Sequence, residues 1–210
     1  MNIILYVGLP KTATTFYQTT LFPYLDNTRV IYNPHDLVKK MSLLIHQKEE
    51  LTGDEILSFH DEINKIENND VNKDKTLLIV NEHLGYVHWN PDPAKGSLRT
   101  KALFPDAFII MSFRYQLDWL ISLYGHHMDT GGCTSIKNFL NFDGERFIKG
   151  ESERVLNQEK NEKIVSIDIF ALDWTNYIKC FYNLYGDNIK ILFFEDFLSD
   201  KKRYTRELLE

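Results

Sequence analysis

Short apolar runs alternate along the chain with longer segments in which apolar residues recur every three or four positions. The runs occupy residues 3–7, 29–32, 76–80, 107–113 and 188–194, and their length and composition are typical of buried strands. Strands that alternate with helices usually form a parallel sheet that is covered on both faces. The pattern therefore predicts the α/β class, with a three-layer α/β/α architecture around a central parallel sheet.

Helical periodicity predicts further elements between these strands, at residues 36–45, 52–67, 98–103, 116–128 and 174–185. The 116–128 helix carries Leu117, Leu120, Ile121 and Tyr124 on one apolar face, and the first helix carries Phe16 and Leu21. Residues 85–100 are rich in Pro, Gly and aromatic side chains and predict a loop. Residues 149–163 are polar and charged, which predicts an exposed loop or helix.

Chain length, composition and net charge limit the classes of protein to which this sequence can belong. The 210 residues suffice for one domain with a substantial core, so we expect a single domain over residues 1–210. Hydrophobic residues make up 43% of the chain and charged residues 26%, as in ordinary globular proteins. The net charge of −6 argues against nucleic acid as a partner, because it requires no basic face.

The cellular compartment is constrained by the cysteines and by the apolar runs. Cys133 and Cys180 have no CxxC spacing and form no disulfide framework, which favours reduced thiols. The first apolar run reaches Lys11 too soon to be a signal peptide, and no run approaches the length of a membrane span. We therefore expect a cytoplasmic protein with no membrane partner.

The stretch after the first strand has the layout of a phosphate-binding loop. Gly8, Leu9 and Pro10 interrupt the apolar run, and residues 11–15 (KTATT) then supply a lysine and three hydroxyls before a helix begins. The free N–H groups and the dipole at a helix start favour an anion there. The nucleotide-triphosphate pattern G-x-x-x-x-G-K-[ST] is not met, because Ala13 and Thr14 stand where its second glycine and its lysine belong. A solvated loop that happens to contain Lys and Thr is the alternative interpretation.

The order P-K-T-x-T-T-F after an N-terminal strand resembles the 5′-phosphosulfate loop of the sulfotransferases that use 3′-phosphoadenosine 5′-phosphosulfate (PAPS). The resemblance implies a P-loop-like fold and a donor-binding segment formed by Pro10, Lys11, Thr12, Ala13, Thr14, Thr15 and Phe16. Within it, Lys11 would also be catalytic. Ala13 departs from the family, in which a glycine is common at that position.

A second anion-binding pair is predicted at the end of the 107–113 strand. Arg114 ends this strand, and Ser122 follows eight residues later on the second turn of the next helix. A guanidinium fork and a hydroxyl placed in this way can converge on one phosphate. The R-x7-S spacing is similar to the 3′-phosphate motif of the same sulfotransferases. The later F-E-D-F segment is also similar to one of theirs, in which Glu195 and Asp196 would be structural.

Two candidate bases follow the 76–80 strand. Glu82 and His83 come just after its carboxyl end, which is where ligands bind in open α/β sheets. Sulfuryl transfer to a hydroxyl needs a base within hydrogen-bond reach of the acceptor oxygen. The resemblance favours Glu82 over His83 as the catalytic residue. A helix cap or a surface pair is the alternative role for both.

The aromatic loop that follows is the candidate acceptor site. Tyr86, His88 and Trp89 can form a wall on which a sugar or aromatic ring stacks. Packing of these side chains on the core is equally consistent with the pattern. The expected acceptor is a hydroxyl-bearing glycan or small molecule.

The resemblance implies in-line transfer of a sulfuryl group from PAPS, with adenosine 3′,5′-bisphosphate (PAP) as product and no metal. His126, His127 and Asp129 do not have the spacing of metal ligands. A P-loop-type kinase and a catalytically silent nucleotide-binding protein are the alternative functions. Many family members carry a basic, glycine-rich segment after the F-E-D-F region, and the sequence ends at Glu210 without one. A short branch, a missing C-terminal piece and a homo-oligomer whose neighbouring subunit covers the site are the three explanations.

Overall fold

The computed structural model describes residues 1–46, 50–81, 92–149, 153–157 and 162–209. The strands are β1 (Asn2–Tyr6), β2 (Val30–Tyr32), β3 (Thr76–Val80), β4 (Phe108–Phe113), β5 (Glu153–Asn157), β6 (Glu162–Ser166) and β7 (Ile189–Phe193). Five of them form a sheet in the order β2-β3-β1-β4-β7, in which every pairing is parallel. The expected parallel sheet is confirmed.

The helices are α1 (Thr14–Thr20), α2 (His35–His46), α3 (Gly53–Glu67), α4 (Pro93–Leu103), α5 (Gln116–Asp129), α6 (Ile136–Phe139), α7 (Trp174–Tyr185), α8 (Phe194–Ser199) and α9 (Lys201–Leu209). Side-chain caps fix where several of them begin. Thr52 and Glu55 form a reciprocal capping box at α3, and the Asp173 carboxylate accepts a hydrogen bond from Asn176 N at α7.

Strand β1 lies at the centre of the sheet. Strands β2 and β3 lie on one side of it and β4 and β7 on the other, so the strand order reverses at β1. It pairs with β3 through Tyr6 and Val80, and with β4 through Tyr6 and Ile110. The carboxyl ends of β1, β3 and β4 therefore meet at one edge of the sheet. A topological switch point of this kind is where open α/β sheets bind ligands.

Alternate residues of the strands belong to two separate hydrophobic clusters, one on each face of the sheet. Leu5 of β1 and Ile109 of β4 belong to the cluster under α2, α3, α5 and α7. Tyr6 and Ile110, their neighbours in the chain, belong to the cluster under α1, α8 and α9. Helices therefore cover both faces of the sheet, and the three-layer α/β/α architecture is confirmed.

Two segments differ from the sequence prediction, a hairpin and the start of a helix. Residues 153–157 and 162–166 form an antiparallel hairpin, β5–β6, where a loop or helix was expected. Cross-strand pairing forms a hairpin even where the sequence is charged. Helix α4 begins at Pro93 rather than at residue 98, because the Asp92 carboxylate accepts hydrogen bonds from Ala94 N and Lys95 N.

The buried faces of α1 and α5 differ in part from those predicted. On α5 the buried side chains are Trp119, Leu123 and His127. Of the predicted face, Leu120 and Tyr124 pack against the core, whereas Leu117 and Ile121 are 56% and 62% exposed. On α1 the buried aromatic is Tyr17, and Phe16 is 44% exposed. Trp119 and Tyr17 occupy inner positions in which their polar tips have hydrogen-bond partners, Pro10 O and the Thr205 hydroxyl respectively.

Candidate phosphate-binding site

The segment after β1 continues along β4 and ends in a tight loop at the carboxyl edge of the sheet. Val7 N donates to Ile110 O at 2.8 Å, and Leu9 N donates to Ser112 O at 3.0 Å. These two bonds extend the β1–β4 ladder beyond the last paired residue of β1. Pro10 and Lys11 therefore lie where the carboxyl ends of the central strands meet.

Gly8 allows the loop to lie this close to β4. A Cβ at this position would lie 2.1 Å from Ser112 Oγ, 3.0 Å from a Tyr6 ring carbon and 3.2 Å from Thr14 Cγ2. Real Cβ atoms do not approach oxygen so closely, so any side chain at residue 8 would displace the loop from β4. The glycine is therefore a steric requirement of the loop.

Lys11 and Ala13 adopt left-handed backbone conformations, each with a φ of 66°. Such a conformation costs a residue with a side chain about 1–2 kcal/mol, and it persists only where the surroundings enforce it. Three side chains do so here. Trp119 Nε1 donates to Pro10 O at 2.9 Å, Arg114 donates to Lys11 O at 3.2 Å, and the Thr12 hydroxyl donates to Leu9 O.

Ala13 gives a direct test of this backbone strain. We expect Ala13→Gly to raise the free energy of unfolding by about 1 kcal/mol, because glycine adopts positive φ at no steric cost. The measurement is chemical denaturation. Ala102→Gly, in the regular helix α4, is the control and should lower the free energy of unfolding by about 1 kcal/mol. Equal losses in both variants would show that Ala13 is not strained.

Helix α1 begins directly after this loop. Ala13 is its N-cap, no side chain caps it, and its first turn contains no acidic residue. Thr14 is buried and Thr15 is exposed, while Lys11 is half-buried. Within the described residues the Lys11 ammonium makes no ion pair or hydrogen bond. The loop thus presents a cation and backbone donors, and no residue between Gly8 and Thr20 is acidic.

Arg114 lies next to this loop, one residue beyond the end of β4. Its guanidinium donates to Lys11 O and stacks over the Phe194 ring, with Cζ 4.7 Å from the ring centroid. Nε is buried and has no hydrogen-bond partner among the described residues. Since buried polar atoms are nearly always paired, this donor is consistent with an anion that completes its bonding.

The backbone around Arg114 is held from two helices. Trp174 Nε1, on α7, donates to Arg114 O at 3.0 Å. Tyr115 N donates to Glu195 Oε1, on α8, at 2.9 Å. The second residue of the acidic pair, Asp196, accepts a hydrogen bond from Arg203 at 3.1 Å. Both acidic side chains therefore have structural contacts, as expected for this pair.

Ser122 lies on the second turn of α5 and is half-buried. No hydrogen bond joins it to Arg114 or to Lys11 in the part of the chain that the structure describes. The structure thus brings Arg114 together with the loop backbone, and leaves the pairing of Arg114 with Ser122 as a prediction. A phosphate that bridges the two side chains would be needed to connect them.

The candidate base and acceptor residues lie outside the described residues. These are Glu82, His83, Tyr86, His88 and Trp89. The described chain stops just before them at Asn81, whose N–H donates to Tyr6 O at 3.1 Å. Asn81 is buried, and its side chain donates to Ser42 Oγ at 3.1 Å. The roles of the five residues stay predictions.

Several residues that shape the loop were not found from the sequence. Tyr6, Ser112, Trp119, Trp174 and Phe194 contact the loop or the Arg114 segment. One signal was present: Ser112 is the polar exception in the strand FIIMSF. A hydroxyl in a buried strand needs a partner, and that requirement marks it as a residue to examine.

Two further features of the described residues concern metals and membranes. In the described ranges, no group of three or more His, Cys, Asp or Glu side chains is arranged to hold a metal ion. Among the described helices, none is both long and apolar enough to cross a membrane.

Comparison with solved structures shows a similarity of fold. The crystal structure of a sulfotransferase from Alicyclobacillus acidocaldarius superposes with a TM-score of 0.61 and 18% sequence identity, over 99% of this chain and 78% of that one. No protein-family model and no curated protein matches the chain. At this identity the likeness shows fold alone. This chain accordingly has the three-layer α/β/α fold that is found in a sulfotransferase.

Proposed function

We propose that this protein is a sulfotransferase that uses PAPS as sulfuryl donor. The observation that carries the proposal is the contact between the two predicted anion-binding elements: Arg114 donates to Lys11 O at 3.2 Å at the carboxyl edge of adjacent parallel strands. Two cationic side chains from distant parts of the sequence thus lie beside one loop. A nucleotide with phosphate groups at both the 5′ and the 3′ position matches this arrangement.

The residues divide between the two ends of such a donor. Lys11 and the backbone N–H groups of the loop are the proposed ligands of the 5′-phosphosulfate. The free Nε of Arg114 and the remainder of its guanidinium are suited to the 3′-phosphate, with Ser122 as a further donor. The planar guanidinium can donate two hydrogen bonds to a phosphate, which distinguishes a 3′-phosphate from a 3′-hydroxyl of the ribose.

The chemistry proposed is in-line displacement at sulfur. Glu82, with His83 as the alternative, accepts the proton of the acceptor hydroxyl, and the acceptor oxygen forms a bond to sulfur. The bond between sulfur and the 5′-phosphate oxygen breaks, and its electron pair stays on that phosphate. Lys11 and the loop N–H groups stabilise the charge that develops there. The acceptor is a glycan or small-molecule hydroxyl, and Tyr86, His88 and Trp89 are its proposed binding wall.

Ligand-induced stabilisation tests this proposal directly. A ligand that binds only the folded state stabilises it by about 2.7 kcal/mol at a hundredfold excess over its dissociation constant. We expect adenosine 3′,5′-bisphosphate to raise the melting temperature, and AMP to raise it much less at the same concentration. Stabilisation by Mg-ATP alone would instead favour a kinase. Bisphosphate binding without transfer to any hydroxyl acceptor would favour a catalytically silent nucleotide-binding protein.

A further inference from the structure

Three hydroxyl groups and one carbonyl form a buried hydrogen-bonded chain beneath the phosphate-binding loop. Tyr6 OH, on β1, donates to Ser112 Oγ, on β4, at 3.0 Å. Ser112 Oγ lies 2.7 Å from Thr12 Oγ1, and Thr12 Oγ1 donates to Leu9 O. Tyr6, Thr12 and Ser112 are each 1% exposed or less.

The direction of this chain follows from counting protons. A hydroxyl has one proton to donate, and the proton of Thr12 is used in its bond to Leu9 O. Ser112 must therefore donate to Thr12, while it accepts from Tyr6. Burial raises the pKa of Tyr6 to about 12, against a smaller lowering by its bond to Ser112, so the first donor keeps its proton. Each bond in a chain with a single direction polarises the next one.

Thr12 occupies the position at which a hydrogen bond from Ser112 can best hold the conformation of the loop. It lies between Lys11 and Ala13, the two residues with positive φ. Its side chain points inward and is fully buried, whereas Lys11 is half-buried. A loop that is strained on both sides of one residue needs that residue to be anchored. The anchor here is the hydroxyl of Ser112.

We propose that Ser112 is a positioning residue that holds the Lys11–Thr15 segment in its anion-binding conformation. It acts through Thr12 and does not contact the ligand. The consequence for ligand binding rests on the proposed function, but the effect on the loop does not. Ser112 also lies two residues before Arg114 on the same strand, so β4 positions both halves of the anion site.

Amide hydrogen exchange of the ligand-free protein tests the proposal. We expect exchange in residues 9–16 to accelerate about tenfold in Ser112→Ala, since the loop loses its buried hydrogen bond to Ser112. Thr12→Val should accelerate exchange at least as much, because it keeps the shape of threonine but loses both the bond from Ser112 and the bond to Leu9 O. Thr12→Ser, which keeps the hydroxyl, should exchange like the wild type. If Ser112→Ala does not fold, the two Thr12 variants decide the question.

Ser97→Ala is the matched control. Ser97 is also buried, and its hydroxyl donates to Ala94 O within helix α4. Its replacement removes one buried hydroxyl but should leave exchange in residues 9–16 unchanged. Unchanged exchange in both Ser112→Ala and Thr12→Val would overturn the proposal. Equal acceleration in Ser97→Ala would overturn it as well, because it would indicate a global loss of stability.

Ligand affinity separates this inference from the proposed function. In Ser112→Ala the dissociation constant for adenosine 3′,5′-bisphosphate should rise about tenfold, while that for adenosine 3′-monophosphate should change less than about twofold. A purely structural role would leave both constants unchanged below the melting temperature. If exchange responds as expected but the wild type binds neither nucleotide, the loop-positioning role stands and the proposed function fails.

Discussion

Lys11→Ala is expected to lower the rate of sulfuryl transfer by about 100- to 1000-fold, which is the usual effect of removing one preorganised electrostatic contact from a transition state. In the proposed mechanism the substitution removes the cation that stabilises the oxygen on which charge develops. Its effect should therefore appear in kcat more than in KM, since the contact strengthens as the bond to sulfur breaks. Release of adenosine 3′,5′-bisphosphate from PAPS, with a panel of sugar and phenol acceptors, gives the rate.

The fold should survive this substitution. Among the described residues the Lys11 side chain has no hydrogen bond or ion pair to lose. Alanine meets the same positive φ that lysine already adopts, so the backbone strain at residue 11 does not change. The melting temperature should therefore stay close to that of the wild type. A loss of rate in a well-folded variant then reports the missing charge.

Lys39→Ala is the matched control for charge. Lys39 is an exposed lysine on α2, so its replacement changes the net charge by the same amount outside the loop. It should retain the wild-type rate. A wild-type rate in Lys11→Ala as well would contradict the assignment of Lys11, and would direct attention to the backbone N–H groups of the loop as the source of stabilisation.

Local signals explain why the sheet was predicted well from the sequence. Four of the five sheet strands are runs of five or more mostly apolar residues, and a buried parallel strand has almost no other pattern. The strand predicted at 107–113 is observed as Phe108–Phe113. The loop was predictable for the same reason, because Gly8, Pro10, Lys11 and the threonines are consecutive in the chain.

Contacts between distant residues explain what the sequence did not reveal. Ser112 meets Thr12 across a separation of 100 residues, and Trp119 meets Pro10 across 109. The pattern of residues within one segment cannot predict these contacts, because they form only when β1 and β4 are neighbours in the sheet. The inner face of α5 was predicted only in part for a related reason. The Trp119 indole has a hydrogen-bond partner in the loop, so it took the buried position from Leu117 and Ile121.

Arg114→Lys is expected to weaken the binding of adenosine 3′,5′-bisphosphate by about 10- to 100-fold, the range for losing hydrogen bonds to a charged group. Lysine keeps the positive charge but replaces a planar fork with a point charge. The loss should be much smaller for AMP, which lacks the 3′-phosphate. Calorimetric titration of both nucleotides gives the two dissociation constants, and their ratio isolates the contribution of the 3′-phosphate.

Arg114→Ala extends the same test. Comparison with Arg114→Lys separates the loss of stability in this variant from the loss of ligand binding. The side chain donates to Lys11 O and stacks on Phe194, so its removal should lower stability and also loosen the loop. AMP affinity would then fall as well, whereas in Arg114→Lys it should be nearly preserved. Arg146→Ala controls for charge, because Arg146 is exposed and forms an ion pair with the neighbouring Asp143 at 3.7 Å.

The ratio of the two affinities decides whether Arg114 recognises the 3′-phosphate. If Arg114→Lys lowers both affinities by the same factor, Arg114 acts through the loop backbone and the 3′-phosphate site lies elsewhere. If only bisphosphate binding falls, the free Nε of Arg114 is explained by the ligand. Ser122→Ala would then be the next variant. A further loss specific to the bisphosphate would place the Ser122 hydroxyl on the same phosphate.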